Sequence, residues 1–207
     1  MRVFGAAHAP LVPGFLRRRP SARMLSFFGP PNPTRRWLAS TDDLTFDLDG
    51  PTLNGVRLGA PLDRLSFLGP DEGRSGFRDG ELRYRSRGLS VRFSLRTRTV
   101  VEYRIAHHDP LDAEFQSFPG QVVANGRRLH LAAVSVESFV QDCGVCWWRD
   151  CDDDETILFY EFTGLEWQVE FSPAGRLRCI TVTTDPIMHD EEQRLAYGVT
   201  APWPPLR

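Results

Sequence analysis

Two stretches of this chain repeat one another, and that repetition narrows the folds open to it. Tyr84–Ser94 reads YRSRGLSVRFS, and Tyr160–Ser172 reads YEFTGLEWQVEFS. Each places a Tyr four residues ahead of Gly-Leu, then alternates apolar and polar residues until it ends in Phe-Ser. Alternation with a period of two is the mark of a strand with one buried face. A shared order of signals around both copies is the mark of an internal repeat.

The surrounding signals recur in the same order. In the first copy Leu44, Phe46 and Leu48 alternate as a strand, and Asp49-Gly50-Pro51 turns the chain. Asn54-Gly55 then leads into Val56-Arg57-Leu58. Pro61 opens a short helix with Leu62, Leu65 and Leu68 on one face, closed by Gly69-Pro70. Strands follow over residues 82–85, 89–95 and 99–105. In the second copy Val122-Val123 is a strand and Asn125-Gly126 a tight hairpin turn. Ser135 caps a helix that turns Val136, Phe139 and Val140 inward and closes at Cys143-Gly144. Strands follow over 157–162, 165–171 and 177–182, and Asp190 to Tyr197 reads as a last short helix.

These patterns predict an α+β protein of two tandem repeats, each a short helix packed on an antiparallel meander. The two meanders are expected to join edge to edge into one continuous curved sheet. The repeats occupy residues 41–110 and 111–186. Residues 1–40 form a Pro- and Arg-rich tail, with Met24 as an alternative start, and residues 187–207 form a short helix and a Pro-rich end.

Gly55-Val56-Arg57-Leu58-Gly59, Leu68-Gly69-Pro70 and the two Y-x3-G-L strands resemble the superfamily of small outer-membrane assembly lipoproteins and the β-lactamase inhibitory protein. The resemblance covers about residues 44–184. It implies protein binding on a sheet face as a class of function and carries over no individual site residue. The chain departs from that pattern in lacking a lipobox, a signal-peptide charge order and paired cysteines within each repeat.

A net charge of −2, a pI near 6.2 and 25% charged residues argue against a nucleic-acid-coating protein. No apolar run reaches the ~18–20 residues that span a bilayer, so membrane insertion is not expected and the cytoplasm is the expected compartment. Lysine is absent, so Arg supplies all the basic character outside His, in keeping with a GC-rich genome.

On the strands, Leu89, Val91, Phe93 and Leu95 share one face, as do Leu165, Trp167, Val169 and Phe171. Those faces meet the helices. The opposite face carries Arg83, Arg85, Arg87, Arg92 and Arg96 in the first copy. In the second it carries Ile157, Phe159, Glu161, Glu166, Gln168 and Glu170. An Arg ladder invites the acidic second copy, a partner, nucleic acid or water as its cover. The expected binding patch is Arg83, Arg85, Arg92, Ile157 and Phe159, with Trp147 and Trp148 at its rim, and the expected partner is another protein. Aromatic and Arg side chains are those enriched at binding hot spots.

The run CGVCWWRDCDDDE over residues 143–155 supports the alternative class, an enzyme or metal-binding protein. Cys143, Cys146 and Cys151, with Cys179 or His130, could supply four zinc ligands. No second C-x2-C accompanies them, and Cys143 stands where the first copy has the core residue Leu68, so packed thiols are the expectation. Asp150, Asp152, Asp154, Thr156, Leu158 and Glu161 match the ligand positions of a calcium loop, but Glu155 stands where a Gly must turn the chain. His107-His108-Asp109 could furnish a base, yet no nucleophile elbow or phosphate loop accompanies it. No metal, no cofactor and no catalytic residue is therefore expected.

Overall fold

The alternating runs fold into the strands of two sheets. The computed structural model describes residues 32–38, 43–73, 76–107 and 115–204, which belong to one unit running from Asn32 to Arg207. The tail expected over residues 1–40 lies outside the described residues apart from 32–38, where Pro33–Arg36 make a 3-10 turn capped by the Asn32 side chain.

In chain order the strands are β1 (Thr45–Asp47), β2 (Thr52–Leu53), β3 (Val56–Arg57), β4 (Glu81–Tyr84), β5 (Leu89–Phe93) and β6 (Val100–Ala106). They continue as β7 (Gln121–Ala124), β8 (Arg127–Leu129), β9 (Trp148–Cys151), β10 (Thr156–Phe162), β11 (Leu165–Phe171) and β12 (Leu177–Thr183). The helices are α1 (Gly76–Asp79), α2 (Val136–Cys143) and α3 (Glu191–Ala196), with a 3-10 helix over Leu62–Leu68. A large sheet has the order β4-β5-β6-β12-β11-β10-β9, and a small one the order β3-β2-β1-β7-β8. Every described pairing is antiparallel except β1 with β7, which is parallel. The chain is thus α+β, with two sheets where one was expected. The two meanders do meet edge to edge, at β6 and β12. The lead-in strands leave them to pair with each other in a separate sheet.

That small sheet packs on the inner face of the large one. Phe46 stands edge-on to Tyr103 at 5.7 Å, and the Tyr103 hydroxyl donates to the Val56 carbonyl at 2.9 Å. Val91, Phe93, Ile105, Val169, Phe171 and Val182 all join this core. Each fully buried member stabilises the fold by about 1.5–3 kcal/mol.

The helices lie against the same core. Leu62, Leu65 and Leu68 are all buried, and their spacing of three fits the 3-10 form, in which residues three apart eclipse. Ser135 caps α2 in a reciprocal box with Ser138, and Phe139 packs edge-on against Tyr160 and Phe171. Both helices end at a glycine of positive φ, Gly69 and Gly144. The Tyr of each Y-x3-G-L stretch donates to the carbonyl of one of them, Tyr84 to Gly69 at 3.2 Å and Tyr160 to Gly144 at 2.9 Å.

Two local expectations fail. Leu95 is 52% exposed, because a bulge between Arg92 and Phe93 shifts the register and β5 ends there. Residues 148–151, outside the strands read from sequence, form the edge strand β9, with Asp150 opposite Ile157 and Trp148 opposite Phe159. Asp152 closes this hairpin by accepting the Asp154 and Glu155 amides at 2.7 and 2.8 Å.

The glycines of the two Y-x3-G-L stretches have positive φ for different reasons. A Cβ on Gly164 would meet nothing within 4 Å, whereas one on Gly88 would run into the Gln116 carbonyl and the Phe118 amide. Gly164→Ala should therefore cost only the left-handed backbone, about 1–2 kcal/mol. Gly88→Ala should cost clearly more in urea unfolding, since residues 116–118 must also move. Equal costs would contradict this packing.

Candidate interaction face

The outer face of the large sheet carries the alternates turned away from the main core, polar on most strands and partly apolar on β9 and β10. Register aligns them in rows. One runs Phe159, Gln168, Thr181, Arg104, Ser90, Arg83, and the next runs Glu161, Glu166, Thr183, Glu102, Arg92, Glu81. The face divides into two unlike halves.

Over β4–β6 it is partly open and ionic. Arg92 pairs with Glu102 at 2.8 Å and reaches Asp185 at 3.5 Å, with its side chain 47% exposed. Arg83 pairs with Glu81 at 2.7 Å. A pair as exposed as Arg83–Glu81 adds about 0–1 kcal/mol to stability, whereas the Glu102 side chain is only 12% exposed. Burial raises the Glu102 carboxyl above its usual range, and the Arg92 charge only partly offsets it. Arg85 accepts the Gln116 amide through its carbonyl, and the Arg104 guanidinium lies 5.9 Å from the Phe115 ring. The edge of β4 is occupied: Asp71 accepts the Arg83 amide at 2.7 Å and the Glu72 amide donates to the Arg83 carbonyl at 3.0 Å. A further strand cannot add there.

Over β9–β11 the face is covered, which corrects the expectation that Ile157 and Phe159 are exposed. Ile157 is 7% and Phe159 0% exposed, in a second apolar cluster with Met188. The cover is the C-terminal segment, a 3-10 turn at Ile187–His189 followed by α3. Its Tyr197 ring meets Phe159 at 5.3 Å, and Trp203 meets Trp147 at 5.3 Å. Trp147 and Trp148 are half-buried at the margin of this cluster. The segment is also braced internally. Asp190 caps α3, and Arg194 donates to the Met188 and His189 carbonyls while lying 5.5 Å from the Trp203 ring.

Beneath the cover, Glu161 and Glu166 stand directly opposite one another. Glu166 is 0% exposed. It accepts the Met188 amide at 3.0 Å, the Ile187 amide at 3.3 Å and the Gln168 side-chain amide. Burial, and then Glu166, push the Glu161 carboxyl up to about 9. Both Glu161 oxygens are buried without a conventional donor. Sequence placed both residues on this face and offered the acidic copy as a cover for the Arg ladder.

The cysteines do not assemble. Cys143 and Cys146 pack against the main core, Cys151 is exposed on β9, and Cys179 is buried on the outer face of β12. Burial, then Asp142, pushes the Cys143 thiol up to about 12, and burial also raises Cys146. Raised thiols are poor nucleophiles and poor metal ligands. Among the described residues no three His, Cys, Asp or Glu converge on one point. The calcium-like positions fall on both strands of the β9–β10 hairpin and do not wrap a common centre. His107 is buried at the end of β6, and His108 and Asp109 lie outside the described residues. Sequence also missed Arg178. It is 5% exposed yet pairs with Glu155 at 3.0 Å and donates to the Asp154 carbonyl at 3.0 Å.

No protein-family model, no curated protein and no solved structure matches this chain.

The division of the face makes a contrast that urea unfolding can read. Phe159→Ala should cost roughly 3–5 kcal/mol, as for a filled aromatic site. Arg83→Ala, which removes an exposed pair, should change stability by no more than about 1 kcal/mol. A Phe159→Ala variant as stable as the wild type would mean that the C-terminal segment is not seated on β10.

Proposed function

We propose that the protein is a cytoplasmic, non-catalytic interaction module that binds another protein through the β4–β6 half of its outer sheet face. The observation that carries this reading is the ion-pair ladder of Arg83 with Glu81 and Arg92 with Glu102, which stays partly open while the other half of the same face is covered. Alternating charges in fixed register suit recognition, because they steer a complementary surface and penalise a mismatched one. Surface pairs of small net worth are exchanged at little cost for pairs across an interface. The plugged β4 edge favours docking on the face over strand addition. Among the described residues no helix is long and apolar enough to cross a membrane, which agrees with this reading.

A tandem origin is part of the proposal. Three features support it: the matching Tyr-to-glycine bonds, the bulges between Arg92 and Phe93 and between Glu170 and Phe171, and a central register that survives exchange of the halves. Leu89 pairs with Ile105 and Trp167 with Val182, while Ile105 meets Ile180 and Tyr103 meets Val182 across the joint. In this account one copy keeps its outer face for a partner and the other has given its face to the C-terminal segment.

A photo-crosslinking amino acid at position 83 or 92 should capture one discrete protein in the native host. The same group at Ala132, exposed on the opposite layer, should not, and Arg92→Glu should abolish capture from position 83. Capture that is equal at Ala132, or absent from both face positions, would count against the proposal.

A further inference from the structure

The Glu161–Glu166 pair has no part in the proposed binding half, and its geometry ties it to the cover. We propose that this pair is a proton-held latch for the C-terminal segment. Glu161, as a neutral acid, donates its proton to Glu166, whose carboxylate in turn accepts the backbone amides of Ile187 and Met188; lifting the segment lets that proton pass to water. The inference stands independently of the proposed partner.

Three observations converge. The two carboxyls are cross-strand neighbours in the β10–β11 ladder, a placement in which two negative charges would repel. Glu166 is fully buried, and its other contacts are donors: Gln168 from its own strand and two amides from the cover. Those amides belong to the turn that seats Met188, itself 0% exposed, against Ile157 and Phe159. Neutral Glu161 thus lets a single buried negative charge hold the cover without a second beside it.

Among the described residues neither Glu161 nor Glu166 enters a salt bridge. Along the row, β12 offers Thr183, β6 offers Glu102 and β5 offers Arg92, which is paired with that Glu102. From the cover come His189, Arg194 and Tyr197. Arg194 is engaged by the Met188 and His189 carbonyls, and the Tyr197 hydroxyl is raised by burial and then by nearby acids, Glu166 among them. From β9, Asp150 adds negative charge near Tyr197.

The sign of the pH effect follows. With the cover seated, Glu161 holds its proton well above the ordinary carboxylate range. With the cover lifted the carboxyl meets water and returns toward its ordinary value near 4.5. Between those limits the closed form binds one proton more than the open form, so opening becomes easier as pH rises, by up to tenfold per pH unit. Above the upper limit both forms are ionised and the dependence ends. Glu161→Gln keeps a neutral donor at every pH and should remove the dependence.

The full chain can be tested by slow digestion at low chymotrypsin concentration between pH 7 and 9, following cleavage after Leu195 and Tyr197 by intact mass. Cutting of a transiently opened segment tracks its equilibrium opening. Dividing the wild-type rate by the Glu161→Gln rate removes the protease's own pH profile. The ratio should climb by up to tenfold for each pH unit. A flat or falling ratio overturns the latch. If Glu161→Gln does not fold, a free peptide of residues 186–204 serves as the normaliser, and a wild-type rate that merely parallels the peptide's overturns it equally.

Discussion

One antiparallel ladder, β6 with β12, makes a single sheet out of two meanders. Five residue pairs from Glu102–Thr183 to Ala106–Cys179 form it, joining the last strand of one meander to the last strand of the other. Both strands are central, β12 is buried throughout and β6 is buried or half-buried throughout, so the hydrogen bonds they exchange have little aqueous alternative. With that seam formed, the inner face is wide enough to hold the small sheet and two helices over one core. Without it, each meander would present an unpaired edge and half a core.

The seam also sets the two halves of the outer face side by side and makes their difference consequential. On β4 and β5 the outward positions are Glu81, Arg83, Ser90 and Arg92; on β10 and β11 they are Ile157, Phe159, Glu161, Glu166, Gln168 and Glu170. The second set contains apolar bulk that water will not carry cheaply, and the chain supplies Met188, Tyr197 and Trp203 to bury it. The first set can remain wet, because its charges pair among themselves. Covered and open halves therefore follow from side-chain chemistry on one shared backbone.

Much of this was legible in sequence. β11 spans the residues its alternation marks, Leu165–Phe171, because period two is a local property of a strand with one buried face. Ser135 and Gly144 bound α2 as capping chemistry requires. The misses were non-local. Nothing in the spacing of Met188, Tyr197 and Trp203 among prolines shows a period, yet those residues bury Phe159, since burial depends on what returns from afar. The same limit hid the second sheet, because a parallel contact between β1 and β7 joins the lead-in strand of one half to that of the other. The acid pair was visible as two glutamates on one face; a shared proton follows only from their register and from the cover above them.

The central claim is that one half of the outer face is interior, sealed by the C-terminal segment, while the other half is surface. Nuclear Overhauser contacts between aromatic rings at neutral pH read this directly. Tyr197 should show cross-peaks to Phe159, and Trp203 to Trp147, given ring centres 5.3 Å apart in both pairs. Tyr197 and Trp203 resonating at random-coil positions, with no cross-peak to β10 or to Trp147, would contradict the account.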